Sequence, residues 1–333
     1  MPDAPPDDWP DVQLHIVTGK GGTGKSTIAA ALALGLASRD KTVLLCEVEG
    51  RQGIAQLFDV APLPYEERRI AHGSGRRAGD VYALAIDPES ALLEYLSMYY
   101  RLGRAGKALD RFGVIEFATT IAPGVRDVLL TGKVYEAANR NSRNKGARRY
   151  DAIVLDAPPT GRIAQFLNVN DELAGLAKVG PIKSQADTVT TLLRSRRTAV
   201  HLVTVLEEMP VQETADGVAE LRRARLPVGG VIVNMVRPQD LDEDARKKLV
   251  AGKVDHKRIA KELSVAGIEG DGLVDTLLGE GLHHAERRAL EDSQRKLVAD
   301  IAVPTYALPL LAGGIDLSAV YELSAELCDQ GLC

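Results

Sequence analysis

The chain has 333 residues, 45% of them hydrophobic, enough to bury the core of one large α/β unit or two smaller domains. A formal charge of −5 excludes a global field that would draw the protein to nucleic acid or anionic lipid, and an aromatic content of 4% leaves few ring faces for base stacking. The three cysteines, Cys46, Cys328 and Cys333, form no even-numbered disulfide framework and no C-x-x-C pair, which points to a reducing compartment, the cytoplasm.

In chain order, residues 1–10 are acidic and Pro-rich with no apolar stretch; they read as a disordered tail and not as a secretion signal. Residues 11–333 then alternate short β-branched runs with helical patterns. The predicted strands are Val12–Thr18, Thr42–Val48, Val81–Ile86, Ala152–Leu155, Val200–Leu206, Val228–Asn234 and Thr305–Leu308. Runs that are apolar on both faces and separated by helices predict a doubly wound, mostly parallel sheet. The longest apolar stretch, Ile28–Ala37, is about half the roughly 20 residues of a membrane span.

Two blocks interrupt the alternation. From about 88 to 140, Leu92, Leu93, Tyr95, Leu96, Tyr99 and Leu102 are spaced for one apolar helical face, which predicts an inserted helical subdomain. The basic stretch Arg140–Arg149 reads as a polar loop. From about 240 to 300 the chain is charged and helical, and its mixed signs suit a solvated face.

The strongest chemical signal is Gly19-Lys20-Gly21-Gly22-Thr23-Gly24-Lys25-Ser26-Thr27, a complete G-x-x-x-x-G-K-[ST] loop between a strand and an Ala-rich helix. Its glycines let backbone N–H groups converge on phosphate oxygens, and the helix starting near Lys25 adds its positive end. Lys25 is expected on the β- and γ-phosphates of ATP and Ser26 on Mg²⁺. Asp156 closes the apolar run Ala152–Leu155, where a carboxylate is placed to hold the same Mg²⁺ through water.

Lys20, directly after the first glycine, resembles the signature lysine of the deviant Walker A group that includes ArsA, MinD, ParA and the nitrogenase iron protein. That resemblance implies a dimer in which Lys20 reaches the partner's nucleotide. The run Asp156-Ala157-Pro158-Pro159-Thr160-Gly161-Arg162, with Phe166-Leu167, resembles the D-T-A-P-T-G-H…[FL]-L switch of the ArsA-type ATPases, the family of the arsenite-pump and guided-entry tail-anchored-protein ATPases. Leu206–Thr214 is similar to the family segment ending L-Y-E-T, Val231–Asn234 to its I-V-N-Q strand end, and Leu308-Pro309-Leu310 to its adenine-side loop. The family implies nucleotide contacts from Glu207, Asn234 and Pro309.

Departures accompany the matches. Glu49-Gly50-Arg51-Gln52 stands where the family has D-P-A-H, so Glu49 replaces the water-orienting aspartate with one extra methylene. Arg162 replaces the switch histidine, and the zinc-binding C-x-x-C is absent. Three functions follow from the resemblance. One is a dimeric Mg-ATPase, homodimer or heterodimer, acting on a hydrophobic protein client or a membrane partner. The second is a weakly hydrolysing nucleotide sensor paired with a related active ATPase. The third, a ParA- or MinD-like positioning ATPase, is disfavoured because no Lys, Arg or His follows Lys296 to make a basic membrane-binding helix. Cys46 reads as a core residue, and His283-His284 as surface residues.

Overall fold

Strands whose side chains are apolar on both faces can be stable only under helices on both sides, and the chain builds that arrangement. The computed structural model describes residues 7–100, 123–140, 147–168 and 181–333. Among them eight strands form one sheet in the order β3-β4-β2-β5-β1-β6-β7-β8. The strands are β1 Leu14–Gly19, β2 Val43–Glu47, β3 Arg68–His72, β4 Asp80–Ala85, β5 Ala152–Asp156, β6 Thr198–Thr204, β7 Val228–Val236 and β8 Thr305–Pro309. All neighbours run parallel except β3 and β4. Every residue of β1, β2, β5 and β6 is buried.

Alternate residues of each central strand feed two cores. Leu14, Ile16, Leu44 and Cys46 face one side; Val17, Val43 and Leu45 face the other. The second core is closed by α1 (Lys25–Ser38), α2 (Gly53–Leu57) and α11 (Leu317–Asp329). Helix α1 is apolar around its whole circumference because it lies between the sheet and α11. The first core is closed by α3 (Pro88–Tyr100), α4 (Pro123–Ala138), α5 (Thr160–Leu167), α6 (Pro181–Leu193) and α7 (Glu208–Arg223).

Several expectations need correcting. The edge strand β3 escaped the sequence pattern because Arg68 and Arg69 break its apolar character, as charges on edge strands commonly do. Residues 7–10 are not a free tail: Trp9 Nε1 donates to the Tyr306 hydroxyl at 3.0 Å, which in turn donates to Asp8 Oδ2 at 2.6 Å. Residues 1–6 lie outside the described residues. Cys328 and Cys333 are joined in a disulfide, which a search for paired C-x-x-C spacing does not detect. Their sulfurs press on α1 at Gly35, where any Cβ would collide with both. Cys46 is the buried free cysteine expected.

Both described ends of the 88–140 block, Ala91 and Leu92 on α3 and Val128–Leu130 and Val134 on α4, pack in the first core; Leu102 lies outside the described residues. The charged block forms α8 (Glu243–Val250), α9 (His256–Val265) and the 28-residue α10 (Leu273–Asp300). Asp242 and Asp255 cap α8 and α9 by accepting from backbone N–H groups one turn on. From Met235 to His284 no residue is buried, so α8, α9 and the first part of α10 stand off the sheet as an arm, while Ala285, Arg288, Glu291, Gln294 and Val298 bury the rest of α10. Among the described residues no helix is long and apolar enough to cross a membrane.

Candidate active site at the carboxyl edge of the sheet

In an open parallel sheet, ligands bind beyond the carboxyl ends of the strands. Here those ends present Gly19 on β1, Glu47 on β2, Asp156 on β5 and Asn234 on β7. The loop from Gly19 turns through Thr23, whose Oγ1 donates to Lys20 O at 2.9 Å, and enters α1 at Lys25. Gly24 has φ 90°, and a Cβ there would strike the Asn234 amide, so this position needs glycine twice over. At Gly21 and Gly22 an added Cβ would meet nothing within 4 Å; the space above the loop is open for phosphate.

Ser26 Oγ donates to Asp156 Oδ2 at 2.5 Å, which joins the helix start to the end of β5. Burial pushes the Asp156 carboxyl up to about 6, with Glu47 and Glu49 adding to the rise and Ser26 and Lys25 opposing it. Glu47 is 3% exposed; its Oε1 accepts from Gly53 N–H at 3.1 Å, while Oε2 is buried without a partner. A crowded set of hard oxygens, one of them orphaned, fits a divalent cation completed by water and phosphate oxygens. Glu47 was missed by the sequence reading. Its signal was the spacing Glu47-x-Glu49, which puts two carboxylates on one side of an extended strand end.

Glu49 lies beside Arg51, with Nε to Oε2 at 3.8 Å. The neighbouring Gln52 has φ 57°, an uncommon backbone for a non-glycine residue, and its amide is tied to Leu63 N and O. Thr18 Oγ1 donates to Pro158 O at 2.7 Å and fixes the turn after Asp156. Arg162 is exposed on α5.

The scan against known families matches residues 12–193 to the anion-transporting ATPase family, the ArsA type. The chain is 52% identical over 329 residues to the ATPase BagA of Mycobacterium tuberculosis, covering 97% of this chain and 96% of that protein. The chain belongs to the ArsA family of ATPases. An arsenical pump-driving ATPase of Acidiphilium multivorum is a more distant relative, 27% identical over 68% of this chain and 40% of that longer protein.

This ArsA-family ATPase has a second cavity wall beside its loop. A space of about 320 Å³ is lined by Lys20–Thr23, Glu207, Met235 and Leu310 among others. Asn234 donates to Thr23 O at 2.9 Å, and the following Met235 has φ 57°. Glu207 directly precedes α7 and reaches Arg287 at 3.9 Å; Pro309 is exposed at the end of β8, one residue before the lining Leu310. The arm is rooted here: Glu291 on α10, 4% exposed at its side chain, takes Arg237 at 2.8 Å and Arg288 at 2.7 Å. Lys20 Nζ is held by Glu213 Oε1 of α7 at 2.7 Å, a partner that sequence spacing gave no means of finding.

Proposed function

We propose that the ATPase binds Mg-ATP with its nucleotide-binding loop Gly19–Thr27 and works as a dimer, each chain lending Lys20 to the other's nucleotide. The observation that carries this reading is the Ser26–Asp156 contact at the head of α1, beside a buried Lys25. Lys25 supplies charge to the phosphates, Ser26 and Asp156 hold the cation, and Glu49 orients water. Bound Mg²⁺ supplies neutralisation of charge on the phosphate oxygens during transfer. Glu207, Asn234 and the Pro309-Leu310 turn border the space where the base would lie. Glu213 keeps Lys20 within its own chain until a partner's phosphates compete for it.

The dimer is a homodimer or is formed with a related ATPase, and its cycle acts on a protein client or a membrane partner. Names of relatives that drive arsenical pumps support the latter class of partner, although here Cys46 is sequestered in the core and Cys328 and Cys333 are bonded to each other. A ParA- or MinD-like role finds no support, since the C-terminal helix α11 is packed on α1. One observation favours the second reading, a slow nucleotide sensor: Glu49 lies beside Arg51, whose charge competes for the carboxylate that should orient water.

The test is calorimetric titration of Mg-ATP into the protein and into Lys25→Ala. The expected result is loss of binding in a variant with an unchanged circular-dichroism spectrum; unchanged affinity in that folded variant overturns the assignment.

A further inference from the structure

The space of about 320 Å³ beside the loop carries Arg237 in its wall, three residues beyond Asn234. Three contacts bring it there. Asn234 Nδ2 donates to Thr23 O and pins the end of β7 to the loop, and Met235 turns the chain with φ 57°. Leu310 N–H donates to Val236 O at 2.9 Å, which ties the end of β8 alongside. A carboxylate then fixes the guanidinium: Arg237 Nη1 donates to Glu291 Oε1 at 2.8 Å, and Glu291, 4% exposed at its side chain, lines the same space. The other oxygen of Glu291 accepts from Arg288 Nη1 at 2.7 Å.

Rooting the arm does not require Arg237. Arg288, 3% exposed, already neutralises Glu291 and also reaches Asp292, which accepts from Arg246 of α8 at 2.9 Å. Three guanidinium groups therefore share two carboxylates, and the most open of the three, at 36%, is Arg237 on the cavity wall. Among the described residues Glu291 is the one side-chain partner of Arg237, through Nη1, so the rest of its fork is free to donate.

A guanidinium can only donate. Asn234, its Nδ2 spent on Thr23, keeps a side-chain carbonyl that can only accept. A donor near an acceptor matches the ring nitrogen and adjoining amino group of adenine. Guanine presents the reverse, a ring N–H and a carbonyl, and would set donor against donor and acceptor against acceptor. Unmatched polar groups shut away from water cost binding, which is how a site rejects a near-isosteric ligand.

We propose that Arg237 contacts the nucleobase and selects adenine over guanine, with Glu291 of α10 as its positioning residue. The helix that carries the arm then also completes the wall of the nucleotide site. This assignment rests on the reading that nucleotide phosphates occupy the Gly19–Thr27 loop.

The experiment is calorimetric titration of the full chain with Mg-ATP and, separately, with Mg-GTP. The parent should bind ATP at least about tenfold more tightly than GTP. Arg237→Ala, with an unchanged circular-dichroism spectrum, should weaken ATP at least about fivefold and narrow the preference by a similar factor. Glu291→Gln keeps the shape but loses the charge that holds the fork. It should narrow the preference in the same direction and add nothing to the change already made by Arg237→Ala. A purely structural role would loosen both nucleotides in proportion and leave their ratio alone. An unchanged ratio in folded Arg237→Ala overturns the assignment, as does a parent that binds GTP as well as ATP; an unchanged ratio in Glu291→Gln overturns the positioning role. Failure of the underlying site reads differently: the parent binds neither nucleotide, or folded Lys25→Ala keeps both affinities, and either result removes the role of Arg237 with it.

Discussion

Asp156→Asn should make the nucleotide-free protein more stable while removing its dependence on Mg²⁺. Asp156 is 7% exposed, and burial, then Glu47 and Glu49, raise its carboxyl from 3.8 to about 6 against the pull of Ser26 and Lys25. The raised value means that the folded chain holds this proton more tightly than the unfolded chain. Its stabilising effect is complete below pH 3.8 and is lost as pH rises through about 6. The gap between those values, at about 1.4 kcal/mol per pH unit, is about 3 kcal/mol of strain when the group is ionised at neutral pH. Asparagine keeps the shape and an oxygen for Ser26 to donate to, but carries no charge beside Glu47 and Glu49. Urea denaturation in chelator at pH 7.5 should therefore show the variant more stable by about 2–3 kcal/mol, with the advantage shrinking below pH 6. The paired comparison cancels the titrating groups that do not interact with Asp156. A variant less stable than its parent, or an advantage independent of pH, would refute the claim that an uncompensated carboxylate sits at the head of α1. In the same variant ATP should still bind, with Mg²⁺-dependent turnover lost.

Glu213→Gln should raise turnover by up to about fivefold, because the Lys20–Glu213 pair is about a third exposed and such pairs hold roughly 0.2–1 kcal/mol; Lys20→Ala should lower turnover only where dimers form, so an assay across protein concentration separates the two. Glu49→Gln should cut turnover sharply at near-normal ATP affinity if Glu49 orients water, and a steady-state rate equal to that of an active parent would move that role to another carboxylate, with Glu47 the nearest in sequence. Stability should also fall on acidification below pH 6.5, because burial, helped by the Lys41 charge, pushes His15 down to about 3, and burial likewise lowers His201, whose Nε2 lies 3.1 Å from His15 Nδ1. Between pH 7.5 and 5 the loss from His15 alone is about 2 kcal/mol, and His15→Asn should flatten that limb of a urea-midpoint profile.

The parts of the site legible in the sequence are those carried by contiguous residues. A phosphate loop is one turn of backbone, so nine neighbouring letters specify it; Asp156 and Asn234 end apolar strands whose direction the alternation of elements already implies. What escaped depends on contacts between distant segments. Glu213 is an ordinary helix residue until α7 lies beside the loop. Glu47 looks like the last residue of a buried strand, and only the parallel register that sets it opposite Asp156 gives it electrostatic consequence. Asp8 and Trp9 read as tail because their partner, Tyr306, lies 298 and 297 residues away. β3 has no pattern of its own to detect: its pairing with β4 runs through a register shift between Arg69 and Ala71, and its charges serve the edge.

The same arrangement leaves the carboxylates of the site short of positive charge within one chain. Three carboxylates, Glu47, Glu49 and Asp156, act on one another at the ends of β2 and β5, with Lys25 as the buried ammonium that offsets them. Lys20, the other cation of the loop, is engaged by Glu213 and contributes little there. A cation brought in with the nucleotide relieves the carboxylates, while the phosphates bring negative charge that a second lysine would neutralise. Two routes can bring that lysine: Lys20 of the same chain leaves Glu213, or a facing chain supplies its own. In the first route turnover is independent of protein concentration and Glu213→Gln accelerates a monomer. In the second the gain appears only at concentrations where the chains associate, and mixing Lys20→Ala chains with Lys25→Ala chains restores activity, since each then contributes the lysine the other lacks. Restoration on mixing requires the second route; its absence in a mixture shown to associate would assign Lys20 to its own nucleotide.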